Sequence, residues 1–191
     1  MGEHTAAGDG HYVTELLGAV RAGEPGSRDE LVDAVYQTLR ELAESQRRKL
    51  MSQTLDAEAL ISEAYFRVLG HTHVDFENRR HLYGAFSRAM REVLIDAARR
   101  RGALKRGGDA KRVGLDVAEL PADAPTDDVI ELDRALEALE ADDARAAEIV
   151  RYRCFLAMPE SKIAEVLGVS VRTVQRDWLY AKAFLKRSLQ T

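Results

Sequence analysis

A chain of 191 residues, 46% apolar and 31% charged, is long enough to bury one or two small cores. One cysteine, Cys154, excludes disulfides and thiolate zinc sites, no apolar run approaches the ~20 residues of a membrane helix, and the polar stretch Met1–Gly10 lacks a signal-peptide core, so a cytoplasmic protein is expected. The net charge of −4 has the wrong sign for a protein that holds nucleic acid by general attraction, so any such contact must come from local patches.

Residues 1–10 read as a disordered tail. A first helix is expected over His11–Ala22, ending at Gly23-Glu24-Pro25-Gly26, and Ser27 or Asp29 caps a second that runs through Leu31, Val35, Leu39 and Leu42 toward Leu50. The third, Asp56–Leu69, turns Ala57, Leu60, Ile61, Ala64, Tyr65 and Val68 inward, and at 100° per residue Phe66 points away from that stripe. Asp56, Glu58, Ser62 and Glu63 surround it. An acidic surface with one apolar anchor has the composition of a protein–protein contact, although scattered surface apolars are also normal. His71 and His73 in GHTHVDFEN lack partner ligands and read as turn residues rather than a metal site.

The fourth helix, Arg79 to Leu104, packs Leu82, Phe86, Met90, Val93, Leu94 and Ala97 inward and runs into the block RRRGALKRGGDAKRV. A positive helix end with flexible glycines suits a phosphate backbone, and Phe76, His81 and Tyr83 are placed to stack on unpaired bases. For Tyr83 and Phe86, core packing is the favoured reading because they lie close to the apolar stripe.

From Val113 to Asp133 the charge inverts: Asp116, Glu119, Asp123, Asp127, Asp128, Glu131 and Asp133 stand without a basic residue among them. With Pro121 and Pro125, this stretch reads as an acidic flexible linker over residues 113–127. The fold class expected is therefore all-α: two small helical domains, 11–112 and 128–191, joined by that linker.

The last thirty residues carry the most specific local pattern. Ile163, Val166 and Leu167 recur at helical spacing, Gly168 follows where a helix must stop, and Ser170 caps a second helix with Val171, Val174, Trp178, Ala181 and Leu185 on one apolar stripe. Arg172, Gln175, Arg176, Lys182 and Lys186 project from its other face. Small Ala164 at the crossing and Gly168 at the turn are what a helix-turn-helix needs, whereas two merely solvated amphipathic helices need neither.

Three phrases, LDAEALISEAYFRVL (Leu55–Leu69), AMREVLIDAARRRGALKRGG (Ala89–Gly108) and VSVRTVQRDWLYAKAFLKRSL (Val169–Leu189), together resemble a bacterial sigma factor of the extracytoplasmic-function (ECF) type over residues 11–189. The resemblance implies that residues 11–112 are sigma region 2 and 128–191 are region 4. It places Asp56, Glu58, Ser62, Glu63 and Phe66 against the clamp helices of core RNA polymerase. It puts Arg79, Arg80, Arg88, Arg91, Asp96, Arg99 and Arg100, with Lys105 and Arg106 beyond them, on the minus-ten element and its melted strand. Ser170, Arg172, Thr173, Gln175, Arg176 and Lys182 would read the minus-thirty-five duplex, and the acidic linker would thread the channel where RNA later exits. Two positions depart from the family pattern: Glu92 stands where many members have Asn, and Ser62 where Gln is common.

The partners implied are core RNA polymerase, promoter DNA as duplex and melted strand, and in some cases an anti-sigma factor, with no cofactor and a monomer when free. The alternative is a stand-alone helix-turn-helix regulator whose N-terminal domain dimerises or binds an effector. No enzyme is expected, because the chain has no phosphate loop, no defensible nucleophile–base set and no paired-ligand metal spacing.

Overall fold

The computed structural model describes residues 9–49, 57–70, 76–104 and 126–189. The expected tail up to residue 8, Asp56, His71 and His73, Lys105 and Arg106, and the acidic segment as far as residue 125 lie outside the described residues. Among the described residues the chain forms eight helices and no strand: α1 (Asp9–Arg21), α2 (Ser27–Lys49), α3 (Ala57–Leu69), α4 (Arg79–Leu104), α5 (Thr126–Asp142), α6 (Ala144–Phe155), α7 (Glu160–Leu167) and α8 (Val171–Ser188).

The 26 residues of α4 make a rod about 39 Å long, against which α1, α3, α5, α6 and α7 all pack. Asn78 starts it, its side-chain oxygen accepting from the His81 backbone N–H at 2.9 Å. The helix is apolar on more than one side. Ala89 and Val93 meet Ala64 of α3 in a small cluster of their own, while Leu82, Tyr83 and Phe86 belong to the main core. That core is continuous from Val13, Leu31 and Val35 through α4 to Leu132, Leu136, Leu139, Ile149, Tyr152 and the α7–α8 pair.

Tyr83 and Phe86 are fully buried, as core packing requires, and Phe76 and His81 stack edge-to-face on each other at 5.4 Å. Ile95 is buried where the periodicity favoured Leu94 and Ala97, which are only half-buried. The reason is α5, which lies along α4 beside Ile95 and gives it a second inward face that a single stripe does not anticipate.

In the C-terminal half, α5 presents Leu132, Ala135, Leu136 and Leu139 at steps of three, one and three to α6, which Asp143 caps by accepting from the Ala146 N–H at 3.0 Å. The α7–α8 pair follows the expected pattern closely. Ala164 is buried at the crossing, Gly168 adopts φ 67° and ψ 33°, and the Val169 N–H returns to the Ala164 carbonyl at 3.0 Å. Ser170 then caps α8 by accepting from the Thr173 N–H at 3.1 Å. Val174, Trp178, Ala181 and Leu185 are buried, but Val171 is 40% exposed: as the first residue of α8 it stands beyond the surface that α7 covers.

Gly168 and Gly18 predict opposite responses to alanine. At Gly168 the left-handed backbone penalises a Cβ, so Gly168→Ala should lower the stability read from denaturant unfolding by about 1–2 kcal/mol. Gly18 lies in α1 with open space where a methyl group would stand, and Gly18→Ala should raise it by about 0.5–1 kcal/mol.

Candidate nucleic-acid interface

Ser170 and Thr173 tie the first turn of α8 together, their hydroxyls 2.9 Å apart, and Arg172, Gln175 and Arg176 emerge beside them into solvent. Two of these side chains are held from behind. The Gln175 amide nitrogen donates to Glu160 at 2.9 Å, and Glu160 also accepts from Arg153, whose guanidinium lies 4.5 Å above the Trp178 ring. An ionised carboxylate only accepts, so Glu160 fixes which end of the Gln175 amide turns inward; the Gln175 carbonyl oxygen and second N–H remain for a ligand.

Arg176 is arranged in the same way. Its Nε donates to Asp177 at 3.0 Å, and the other Asp177 oxygen accepts from Arg145 at 2.7 Å. Asp177 is buried, whereas Arg176 is exposed; one terminal nitrogen of Arg176 also lies 3.0 Å from the same Asp177 oxygen, so an anchored carboxylate orients the guanidinium and leaves its other terminal nitrogen for a ligand. Such a pair of amide and guanidinium suits the donor and acceptor edges of bases in a major groove. Sequence reading missed both carboxylates. It also missed Leu179, 63% exposed one turn beyond Gln175. Lys182, by contrast, is half-buried, with its ammonium 5.6 Å from the centre of the Trp178 ring.

On α4 the basic residues fall into two groups. Arg88, Arg99 and Arg100 are exposed. Arg79 instead pairs with Glu165 of α7, its second terminal nitrogen reaching the Glu165 carbonyl at 2.6 Å. Arg80 grips both oxygens of Glu148 on α6 at 2.7–3.1 Å, and Arg91 donates to Asp133 and, at 3.1 Å, to Glu137 of α5.

The outward aromatic of α3 stands where the periodicity puts it: Phe66 is 67% exposed and packs edge-to-face on Tyr65, which does the same on Tyr36. Ser62 and Glu63 are half-buried beside it, and the Glu58 side chain lies outside the described residues. Arg67, not singled out by the sequence, donates to Glu63 at 2.8 Å, to Asp96 at 2.9 Å and to Glu92 at 3.5 Å, bolting α3 to α4. Its hydrogen bond holds the Asp96 carboxyl below the usual range. The acid at position 92 thus has a use here that an amide would fill less well.

A family model described as ECF sigma factor matches residues 11–191. The chain belongs to the ECF sigma factor family. No match was found among curated proteins or among solved structures.

In this ECF sigma factor Arg172, Thr173, Gln175 and Arg176 lie in the first turns of α8 behind its cap Ser170, and Lys182 lies further along the same helix. Among the described residues no group of three or more His, Cys, Asp or Glu side chains could hold a metal ion, and no helix is long and apolar enough to cross a membrane.

Glu160 gives the interface a testable pH response. The hydrogen bonds from Gln175 first, and from Arg153 second, hold its carboxyl below the ordinary value of 4.5. A depressed native pKa contributes stability that is present above the unfolded-state value and lost as pH falls through the native one. The melting temperature should therefore drop on acidification below that value, and Glu160→Gln, which has no proton to gain, should show a flatter acid limb. Identical acid limbs would mean that Glu160 is uncoupled from folding.

Proposed function

We propose that this protein is a promoter-specific initiation factor: it binds core RNA polymerase through residues 11–112, reads the minus-thirty-five duplex through residues 128–191, and connects the two through the acidic segment 113–127. The observation that carries the reading is the pair Gln175 and Arg176, exposed on the second helix of a helix-turn-helix and each braced by an anchored carboxylate, in a member of the ECF family. Bracing side chains at an exposed position lowers the entropy lost when they meet a base edge, and is of little use on a merely solvated face.

In this scheme Arg172, Gln175 and Arg176, with Ser170 and Thr173 at the helix start, contact the minus-thirty-five duplex, and Leu179 offers apolar contact to a thymine methyl group. Arg88, Arg99 and Arg100, with Lys105 and Arg106 beyond them and Arg79, Arg80 and Arg91 once released from their carboxylates, hold the minus-ten region and its melted strand. Phe66, with Ser62 and Glu63 on the same helix and Asp56 and Glu58 preceding it in the sequence, is the anchor on polymerase. The exposed aromatic on an acidic helix supports that assignment, since a DNA face would carry the opposite charge. The chain itself performs no bond chemistry; polymerase supplies catalysis in the cytoplasm and this protein supplies the address.

Neither half needs to bind DNA tightly. Polymerase fixes both at promoter spacing, so the second contact forms at a high effective concentration. Run-off transcription on genomic fragments with core polymerase should yield new start sites that share one motif. Phe66→Ala should weaken association with polymerase while sparing duplex binding, and Arg176→Ala should do the reverse, costing about 1–3 kcal/mol at one base position. Duplex binding without polymerase association would instead favour a stand-alone regulator.

A further inference from the structure

Trp178 begins a chain of contacts that ends at an exposed amide. Its buried indole carries the Arg153 guanidinium 4.5 Å from the ring centre, Arg153 donates to one oxygen of Glu160, and the other Glu160 oxygen accepts from the Gln175 amide nitrogen at 2.9 Å. Side chains from α6, α7 and α8 thus converge on one group at the start of the second helix of the helix-turn-helix. We propose that Glu160 sets the base preference at one position of the duplex by locking Gln175 as a reader of adenine. The proposal rests on the assignment of α8 to a major groove made above, and adds which base Gln175 selects and which residue makes it do so.

An amide has two different ends of nearly the same shape, and half a turn of its last torsion exchanges them. A Gln175 free in solvent could therefore offer either end to a base. The Glu160 carboxyl, held below its ordinary value by hydrogen bonds from Gln175 and Arg153, is ionised at neutral pH and only accepts. One Gln175 N–H is spent on it, which leaves one acceptor and one donor for a ligand. Adenine shows the complementary pair in the major groove, its N6 amino group donating and its N7 accepting. Guanine shows two acceptors, O6 and N7, so the Gln175 carbonyl would oppose another oxygen there. Turning the amide to avoid that clash would press its carbonyl against the Glu160 carboxylate, and this repulsion is what supplies the discrimination.

Arg153 gives the lock its direction. A guanidinium has donors and no acceptor, so it requires an oxygen at the atom of residue 160 that it touches. In Glu160→Gln the oxygen of the new amide stays on Arg153, and an NH2 group replaces the oxygen that faced Gln175. Gln175 must then turn its own carbonyl inward to accept and present its two N–H groups outward, the pattern that suits the two acceptors of guanine. A nearly isosteric change on α7 should thus exchange one base for another on α8.

The full-length chain tests this without polymerase, at low salt, by selection from a randomised duplex library followed by sequencing of the bound fraction. The parent should favour adenine over guanine at one position by about 5–150-fold, the equivalent of about 1–3 kcal/mol for a bidentate pair. Gln175→Ala should abolish the preference at that position alone, which identifies it. Glu160→Gln should move the same position toward guanine. Combining Glu160→Gln with Arg153→Leu frees the new amide to turn either way and should level adenine and guanine there.

The position that responds to Arg176→Ala serves as the internal standard, and melting followed by circular dichroism checks that each variant folds. A merely structural role for Glu160 would weaken every position together. An adenine preference unchanged in Glu160→Gln, a uniform loss at all positions, or the lack of any position that depends on Gln175 would overturn the proposal. Run-off transcription with core polymerase separates this from the function itself: its absence with duplex selection intact would sink the initiation-factor reading and leave the base preference to judge the lock.

Discussion

Tyr152 sits at the joint between the two halves of the chain. Its ring is fully buried in the common core, and its hydroxyl lies 2.7 Å from a Glu148 oxygen and 3.0 Å from the Arg80 carbonyl. Burial first, and the Glu148 hydrogen bond second, push this phenol far above its ordinary pKa, so it remains a donor at any physiological pH. A buried hydroxyl without a partner costs about 1–3 kcal/mol, which ties the position of α6 to the backbone of α4. Glu148 in turn holds Arg80, so one phenol, one carboxylate and one guanidinium fix the register between the element expected to melt DNA and the unit expected to read duplex.

From that register the remaining pairs between α4 and the C-terminal helices follow. With α6 docked at Arg80, α7 lies over the start of α4 and α5 along its middle, which brings Glu165 to Arg79 and Asp133 and Glu137 to Arg91. The half-buried Arg91 is the most enclosed of the three: burial acts to lower its pKa, and the hydrogen bonds and charges of Asp133 and Glu137 more than reverse that effect. The main core passes through the same junction, so the ion pairs select an alignment and apolar burial supplies most of its stability.

Local pattern made much of this legible. The three-and-four spacing of apolar residues located α1 to α4, the glycine and serine around Val169 located the final turn, and the angular position of Phe66 on α3 was sufficient to place it in solvent. What the sequence hid were partners far away in the chain. Arg80 and Glu148 are 68 residues apart, Arg79 and Glu165 86, and nothing in either neighbourhood marks one for the other. Periodicity also reports one face of a helix at a time, which is why Ile95, buried by α5, escaped a stripe drawn for the core of α3 and α4. Asp177 shows the same limit from the other direction: an acid between Arg176 and Trp178 reads as surface, and the approach of Arg145 from α6, together with Arg176 beside it, offsets the cost of its burial.

The overall charge of −4, which by itself argues against nucleic acid, takes on a different meaning once these distances are known. A chain with basic helices and no acidic surplus would bind any DNA it met, because the electrostatic part of such binding is blind to sequence. Here α5 is the strongly acidic helix, and Asp133 and Glu137 on it, with Glu148 of α6 and Glu165 of α7, meet the arginines of α4. Gln175 and Arg176 are left exposed in the same arrangement, since their bracing acids, Glu160 and Asp177, lie behind them rather than in front. The carboxylates are therefore divided by position: Asp133, Glu137, Glu148 and Glu165 pair with the arginines of α4, and Glu160 and Asp177 brace the exposed Gln175 and Arg176 of α8.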